Sequence, residues 1–317
     1  MKSIIESDRP ARDRFCALAA AIPRHGVGLS VDLYSPDLYQ LLATLSDHGL
    51  AVDYLEVFKA RASDLAALRR HAPPSLRLAY HADGLWFCQP EFMDAYPWRA
   101  QVELIRHHTA VLDSAWATHE CATKQMAGYA FGTYLPPILS DESADCAGRN
   151  AQAVQELLGA RPLLLAEIPP FYFCVPGPMD LADFFTRLCS ACDCGLLFDV
   201  GHLYTYYLYH GRPREPGGFL RDFLARFPLE RVIQIHLAGL DGPAPPDGTA
   251  FLDDHGAAIP AFLFDWLETL LTQPRLTHLK GVALEVDTKS IEAILRDYPR
   301  FCAIARGWSE RVGAPAA

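Results

Sequence analysis

Four residues with acidic or imidazole side chains recur along the chain, each at the end of an apolar run that is typical of a β-strand. They are Glu167 in PLLLAEIP, Asp199 in GLLFDVGH, His236 in VIQIHLAG and Glu285 in GVALEVD. An ionisable side chain at the end of a buried strand is costly unless another group or a metal pairs with it. Oxygen and imidazole donors bind hard-to-borderline dications such as Mn²⁺, Fe²⁺, Co²⁺ or Zn²⁺. The four residues therefore predict a divalent metal site.

A second set of candidate ligands lies at the ends of two other runs and in one long loop. His81 ends the run LAYHAD, and His119 stands beside Glu120 in WATHEC. Asp253 and His255 lie in LDDHG, after the seventh run. Because side chains alternate along a strand, only one of His119 and Glu120 can point inward, and we favour His119 as the ligand. Together with the first four, these ligands are too many for one ion and enough for two or three.

Three residues are candidates for a direct role in catalysis. Asp253 and His255, in the long loop after the seventh run, are expected to take part in catalysis as well as in metal binding. His202, in the sequence DVGH, is expected to contact either a metal or the substrate. Glu56, in YLEV, is a further carboxylate on the second run, and its role stays open. A salt bridge from Glu56 to Lys59 or to a buried Arg is the structural alternative.

Short apolar runs alternate with segments in which apolar residues have helical spacing. The runs begin at Val27, Val52, Leu76, Ser114, Pro162, Gly195, Val232 and Gly281. Several are continuously apolar, as are parallel strands that are buried on both faces. Eight strands alternating with eight helices in about 300 residues is the count of a (β/α)8 barrel. We therefore expect one α/β domain, a TIM barrel over residues 26–310 with an N-terminal extension at 1–25.

The loops support a barrel whose site is at the carboxyl ends of its strands. Loops that enter the runs are short, whereas those that follow the fourth and seventh runs, at 121–142 and 240–259, are long. In this fold the loops after the strands build the active site. Glu167, Asp199, His236 and Glu285 are 32, 37 and 49 positions apart in order, which places them on strands five to eight. An open nucleotide-binding sheet is disfavoured, since the chain has no GxGxxG or GxxxxGK[ST].

Composition excludes several other classes of protein. The 317 residues carry a net charge of −10, which argues against nucleic acid or an anionic membrane as a partner. No apolar run is long enough for a transmembrane helix, and no secretory signal is visible, so a cytoplasmic location is expected. The nine cysteines are an odd, irregular set that we interpret as buried thiols rather than disulfides or metal ligands.

Six short motifs between Gly26 and Glu285 occur together in one known family. They are GVGL, YLEV, LLAEIP, CGLLFDVGHLY, IHLAG and the D-x-H-G of LDDHG. In these motifs the chain resembles the multinuclear non-heme iron-dependent oxidases, TIM-barrel enzymes typified by the methanobactin-biosynthesis oxidase. The resemblance implies two or three irons that use O₂ to oxidise cysteine or other residues, usually on a peptide that a separate partner protein presents.

The resemblance also implies a division of the ligands. One iron would be bound by Glu167, Asp199, His236 and Glu285, and the neighbouring sites would be completed by His81, His119, Asp253 and His255. The family usually has Asn where this chain has Ile168, and its DVNN is replaced by DVGH. These differences leave room for a small molecule or another substrate instead of the usual peptide.

A single-metal enzyme of the same fold is the alternative. A Glu, an Asp-x-x-His, a His and a Glu on strands five to eight also occur in xylose-isomerase-like sugar isomerases and epimerases. In those enzymes one Mn, Co or Zn ion polarises a ketose while carboxylates move a proton between carbons. The two hypotheses differ at His81, His119, Asp253 and His255, because an epimerase does not need them as ligands.

Overall fold

The computed structural model describes residues 8–58, 60–95, 97–126, 129–173, 177–211, 215–241 and 252–313. Twelve strands, numbered in chain order, lie within these ranges. Eight form the barrel: β1 (Gly26–Val31), β2 (Tyr54–Phe58), β3 (Arg77–His81), β4 (Trp116–Glu120), β7 (Leu163–Glu167), β8 (Gly195–Asp199), β9 (Val232–Leu237) and β12 (Gly281–Glu285). They close in the order β1-β12-β9-β8-β7-β4-β3-β2, and every neighbouring pair is parallel. The predicted TIM barrel is confirmed. Seven of the eight predicted runs contain their strand in full, and β1 begins one residue before its run, at Gly26.

Helices connect the barrel strands and surround them. They are α1 (Asp8–Ala21), α2 (Leu38–Asp47), α3 (Ala62–His71), α4 (Phe92–Ala95), α5 (Trp98–Leu112), α6 (Asp141–Leu158), α7 (Leu181–Ser190), α8 (Val200–Tyr206), α9 (Pro216–Arg226), α10 (Ala261–Leu271) and α11 (Ile291–Gly313). A π-helical turn at Tyr207–Gly211 follows α8, and a 3₁₀ turn at Leu229–Arg231 precedes β9. None of the described helices is both long and apolar enough to cross a membrane.

Helix α1 closes the floor of the barrel, at the amino ends of the strands. Phe15 is 1% exposed and belongs to one apolar cluster with Tyr54, Trp116 and Leu163, which are the first residues of β2, β4 and β7. The Arg231 guanidinium lies 4.5 Å above the Phe15 ring. The segment that the sequence marked as an N-terminal extension therefore supplies part of the barrel core.

Side chains along β4 alternate between the barrel interior and the surrounding helices. Trp116 belongs to the interior cluster, and Thr118 donates a hydrogen bond to Glu56 across the barrel. Ala117 packs in the outer core between strands and helices. The same alternation turns Glu120 inward and His119 outward.

The loops after the fourth and seventh barrel strands carry additional short strands. Strands β5 (Thr123–Met126) and β6 (Tyr129–Leu135) form an antiparallel hairpin after β4. Strands β10 (Leu240–Asp241) and β11 (Leu252–Asp253) pair after β9 and bring Asp253 back to the barrel. The Pro/Gly-rich stretch at 242–248 lies outside the described residues. Both long loops are thus at the carboxyl ends of the strands, where the ligands were predicted.

Candidate metal centre

The mouth of the barrel collects an ionisable side chain from six of its strands. Five are the last residues of their strands and His236 is the last but one of β9: His81, Glu120, Glu167, Asp199, His236 and Glu285. All six are buried. Parallel strands end at the same edge of the barrel, so residues far apart in the chain converge here.

His81 and Glu167 form the first contact, between strands three and five of the barrel. Their Nε2 and Oε2 atoms are 3.0 Å apart, and Glu120 completes a triad in which the ligand atoms lie within 4.8 Å of one another. Burial opposes protonation of His81, but the Glu167 carboxylate outweighs it and raises the pKa of His81 to about 10. The pKa of Glu167 is lowered despite burial, because His202 and His81 both contact it.

Asp199 ends β8 and is also the N-cap of α8. Its Oδ1 accepts a hydrogen bond of 2.6 Å from the backbone N–H of His202, three residues later. Asp, Ser and Asn are favoured at this position because their side chains satisfy a free helix N–H. The cap fixes the carboxylate and leaves Oδ2 buried with no hydrogen-bond partner among the described residues. Burial raises the pKa of Asp199 to about 6.

His236 lies between two carboxylates. Its Nδ1 is 3.1 Å from Glu285 Oε2, and its Nε2 is 2.7 Å from Glu56 Oε2. Burial opposes protonation, but the charges of Glu56 and Glu285 raise the pKa of His236 well above its usual range. Asp199, His236 and Glu285 form a second triad with ligand atoms within 4.8 Å. The four residues first singled out in the sequence are therefore together, with Glu167 joined to Asp199 through His202.

His202 connects the barrel strands to the loop after β9. Its Nδ1 donates to the Ile168 carbonyl oxygen at 2.7 Å, and its Nε2 is 3.2 Å from Asp253 Oδ2. His255 Nε2 is 3.3 Å from Asp253 Oδ1, although neither atom makes a hydrogen bond among the described residues. His202, Asp253 and His255 form another triad, and Glu167, Asp199 and His202 form one beside it.

Burial and neighbouring charges also have opposite effects on the pKa values of His202, Asp253 and His255. Burial opposes ionisation of Asp253, yet His255 and His202 hold its pKa well below the usual range. The carboxylates of Asp199 and Asp253 raise the pKa of His202, and those of Glu285 and Asp253 raise the pKa of His255. Positive charge is thus favoured where several carboxylates meet, which is also where a divalent cation would be favoured.

Two residues of the centre were missed or misassigned from the sequence. The sequence predicted that His119, rather than Glu120, points into the site, but the structure places Glu120 there. His119 faces outward, where its Nε2 accepts from the backbone N–H of Leu85 at 2.9 Å and its Nδ1 donates to the Glu120 carbonyl oxygen at 2.8 Å. Burial lowers the pKa of His119, so its ring is neutral. Both ring nitrogens are occupied, and Glu120 takes the inward position.

Asp287 is the residue that was missed. With His255 and Glu285 it forms a fifth triad, and its Oδ2 lies 3.8 Å from His255 Nδ1. A signal was present in the sequence, because Asp287 is a third carboxylate candidate two positions after Glu285 in GVALEVD; in the structure it lies in the turn directly after β12.

The donor set fits divalent cations. Four buried atoms of the triad residues lack a hydrogen-bond partner among the described residues: Asp199 Oδ2, Asp253 Oδ1, His255 Nε2 and Asp287 Oδ1. Each is a carboxylate oxygen or an imidazole nitrogen, and an unpaired buried group of this kind is costly without a ligand. The five triads in the described part of the chain contain only His, Asp and Glu. Oxygen with imidazole nitrogen suits Mn, Fe, Co or Zn.

The hairpin after β4 reaches over one side of the centre. The Tyr134 hydroxyl on β6 donates a short hydrogen bond to Glu120. The Lys124 ammonium on β5 lies 4.0 Å from the centroid of the Tyr134 ring. Burial and the Glu120 charge raise the pKa of Tyr134, so the phenol keeps its proton. Tyr134 therefore contacts a residue of the centre from this hairpin.

Comparison with known proteins identifies the family. Residues 24–294 match the family model of RiPP precursor modification enzymes MbnB/TglH/ChrH, where RiPP denotes a ribosomally synthesised and post-translationally modified peptide. The chain belongs to this family. The resemblance that the sequence motifs indicated is thereby confirmed at the family level.

Curated relatives share part of the chain. A UPF0276 protein of Bordetella bronchiseptica is 30% identical over 197 residues, which are 61% of this chain and 62% of that protein. A UPF0276 protein of Rhizorhabdus wittichii is 31% identical over 142 residues, 45% of this chain and 46% of that protein. The chain therefore spans about half the length of the curated relatives that it matches.

Solved structures confirm the xylose-isomerase-like fold. A D-tagatose 3-epimerase-like protein superposes with a TM-score of 0.56 and 16% identity, covering 91% of this chain and 100% of that one. A xylose isomerase domain protein from Planctomyces limnophilus gives a TM-score of 0.56 and 10% identity, with coverage of 91% and 99%. Endonuclease IV from Thermus thermophilus gives a TM-score of 0.54 and 17% identity, with coverage of 91% and 100%. At these identities the likeness concerns the fold alone.

Proposed function

We propose that the protein is an iron-dependent oxidase that uses O₂ to modify a cysteine-containing or other peptide at a centre of two or three irons. The observation that supports it is the sharing of residues between neighbouring triads. Glu167 belongs to the triads of His81 and of Asp199, and Glu285 belongs to those of His236 and of His255. A carboxylate has two oxygens and can bridge two ions, so a chain of linked triads suits a multinuclear centre better than a single ion.

Iron is the metal that this proposal assigns to the centre. The donors are carboxylate and imidazole, which suit Fe²⁺, and the family resemblance points to iron among the metals that such donors accept. When bound, iron would supply the electrons for reaction with O₂, chemistry that protein side chains cannot provide themselves. Glu167, Asp199, His236 and Glu285 would hold one ion, and His81, Glu120, His202, Asp253 and His255 would complete the other sites.

The remaining residues have positions that suit the binding of a substrate. The side chains of Asp253, His255 and Asp287 are 10%, 18% and 21% exposed, so the segments after β9 and β12 form the most open side of a centre that is otherwise buried. We assign the approach of substrate to this side, with His202, Asp253 and His255 nearest to it. The family description supports a peptide as substrate. The need for a partner protein that presents the peptide is tested by measuring oxygen consumption with and without candidate carrier proteins.

The sugar isomerase remains the second candidate, with one Mn, Co or Zn ion at Glu167, Asp199, His236 and Glu285. Its support is the Asp199-x-x-His202 spacing, which the structure accommodates at the start of α8. It has less support than the oxidase because an isomerase gives no role to the triads of His81, Glu120 and Glu167 and of His202, Asp253 and His255.

Metal analysis of protein purified without oxygen distinguishes the two functions. Two or three irons per chain, coupled in the Mössbauer spectrum, are expected for the oxidase. A single manganese, cobalt or zinc that added iron does not displace would favour the isomerase. If iron is found, oxygen consumption is measured with cysteine-containing peptides, alone and with candidate carrier proteins. Consumption with peptide alone would show that no carrier is needed.

A further inference from the structure

Lys289 is a buried lysine in the segment that joins β12 to α11. Only 1% of its surface is exposed, although lysine is seldom buried without a partner that compensates its charge. The segment begins at the carboxyl end of β12, which is the end of the barrel that holds the candidate metal centre. A lysine ammonium has no lone pair to give to a metal, so Lys289 can act there only through other groups.

The two partners of the Lys289 ammonium come from different parts of the chain. Its Nζ donates a hydrogen bond to the carbonyl oxygen of Ala257, which is 32 positions earlier. The same atom lies 3.0 Å from Oδ2 of Asp297 in α11, a residue that is buried too. The ammonium therefore connects the loop after β9 to a carboxylate of α11. A hydrogen bond to a charged donor contributes more when it is removed from bulk water.

The loop after β9 returns to the barrel as a tight turn over residues 253–257. The backbone N–H of Ala257 donates to the Asp254 carbonyl oxygen at 3.0 Å, and that of Gly256 donates to the Asp254 side chain at 2.9 Å. Bonds of this kind fix the shape of a turn. Because they close the turn on itself, a contact that holds Ala257 in place also holds the rest of the turn.

The carbonyl oxygen that Lys289 binds also lies directly against the barrel. A Cβ at position 239, two residues after β9, would overlap the Ala257 carbonyl oxygen. Gly239 has no Cβ and so permits this close approach. Its own carbonyl oxygen accepts from the backbone N–H of Asp254 at 3.4 Å. The turn is thus seated on the end of β9 by its backbone, and Lys289 holds it there.

We propose that Lys289 is a positioning residue that holds the turn carrying Asp253 and His255 in place at the centre. Its ammonium fixes the Ala257 carbonyl oxygen, and the charge of Asp297 compensates that of the ammonium. Groups that orient ligands in this way contribute to metal affinity without touching the metal. The consequence for metal binding rests on the proposed function, whereas the anchoring of the turn can be tested without a metal.

Amide hydrogen exchange of the turn is the first test. Exchange of the segment 252–259 is followed by mass spectrometry in full-length wild type and Lys289→Met, as purified and again after chelation of bound metal. Methionine is an unbranched, flexible apolar side chain without an ammonium. After chelation we expect this segment to exchange about 10-fold faster or more in the variant, with strand β8 unchanged. Unchanged exchange of the segment in both states would overturn the inference.

A double variant separates anchoring from the effect of an unpaired charge. Lys289→Met leaves the buried Asp297 carboxylate without its ammonium, which is destabilising in itself. Lys289→Met/Asp297→Asn removes that charge as well, and we expect the turn to exchange as fast as in the single variant. A return to wild-type exchange would show that Lys289 only neutralises Asp297, and would overturn the inference. If circular dichroism shows that Lys289→Met does not fold, the double variant decides alone.

Arg275 provides a matched control at the opposite end of the barrel. Its guanidinium donates to the Phe227 carbonyl oxygen at 2.9 Å, in the segment between α9 and β9. Arg275→Met therefore also removes a cation that holds a loop carbonyl, but we expect the turn at 253–257 to exchange as in the wild type. Equal acceleration in Arg275→Met and Lys289→Met would indicate a general loss of stability, which contradicts a specific role for Lys289.

Titration with Zn²⁺ separates the role of Lys289 from the metal centre itself. By competition with a chelating dye, we expect Lys289→Met to lose about 10- to 100-fold in affinity at the site of His202, Asp253 and His255 alone. If the turn loosens but every Zn²⁺ binds as in the wild type, the role of Lys289 stands and the assignment of an ion to this triad is wrong. If His202→Ala loses an ion while the turn of Lys289→Met exchanges like the wild type, the centre stands and the role of Lys289 is rejected.

Discussion

Nε2 of His202 lies 3.2 Å from Oδ2 of Asp253, although the two residues are 51 positions apart in the chain. His202 is in the first turn of α8, and Asp253 ends the short strand β11. The contact ties the loop after β9 to the strand-end carboxylates of the barrel. One part of the proposed centre therefore depends on a loop, and the other part on strands alone.

This difference predicts that ions can be removed separately. His202→Ala keeps the backbone N–H at position 202, which donates to the N-cap carboxylate of Asp199. We therefore expect the fold, and the ion at Asp199, His236 and Glu285, to remain. The ion held by His202, Asp253 and His255 should be lost, a decrease of about one ion per chain. Elemental analysis of the purified variant measures this, with the exposed His107→Ala as control. An unchanged metal content would contradict a site at His202.

Asp199→Asn should abolish metal binding at the centre and the activity that depends on it. The variant keeps a side-chain oxygen for the cap of α8 but removes the charge from Oδ2, a buried atom with no hydrogen-bond partner among the described residues. We expect at least a 100-fold loss of metal affinity, on the order of 3 kcal/mol, because a charged ligand becomes neutral. Metal content and thermal stability are measured together, with the surface variant Asp265→Asn as control. Full metal content in Asp199→Asn would rule out the assignment.

His25 provides a pH dependence that is independent of the metal. It lies at the floor of the barrel, where its ring is 4.2 Å from that of Trp116, and burial lowers its pKa from 6.5 to about 4. The folded protein thus binds this proton less readily than the unfolded chain does. The resulting stability is complete above pH 6.5 and is lost as the pH falls towards 4, by up to about 3 kcal/mol.

Replacement by glutamine tests this dependence. His25→Gln can still donate to the Pro23 carbonyl oxygen, which accepts from His25 Nδ1 at 2.8 Å, but it does not titrate. Urea unfolding of metal-free protein at pH 7 and pH 4.5 should show a smaller loss of stability in the variant than in the wild type. Equal losses in the two proteins would mean that His25 titrates normally in the folded state.

Helix α1 should contribute to stability without affecting the centre. Phe15→Ala removes a ring that is 1% exposed and packs at the amino ends of the strands, so we expect a loss of about 3 kcal/mol in the free energy of unfolding. Bound metal should be unchanged, because the ligands lie at the other end of the strands. Urea unfolding and elemental analysis check both outcomes, and the half-buried Leu18→Ala should cost less. No loss of stability in Phe15→Ala would show that α1 is not part of the floor.

The sequence by itself determined the barrel and four of the residues that meet at its candidate metal centre. Continuous apolar runs alternating with amphipathic helices have few stable arrangements, and ionisable residues at the ends of such runs must meet at one edge. The strand ends at Glu167, Asp199 and Glu285 are the ones predicted. Asp287 could have been found by similar reasoning, since it is an ionisable residue two positions after Glu285, in the turn that follows the same strand.

Only the tertiary structure decided which neighbours those four residues have. The choice between His119 and Glu120 depends on the phase of β4 relative to the barrel axis, which Trp116 and Thr118 set through contacts across the interior. The pairing of Glu56 with His236 joins β2 to β9, and strands at that separation meet only when the barrel closes. Local sequence patterns fix the period of a strand, whereas its inward face and its partners across the barrel follow from packing of the whole chain.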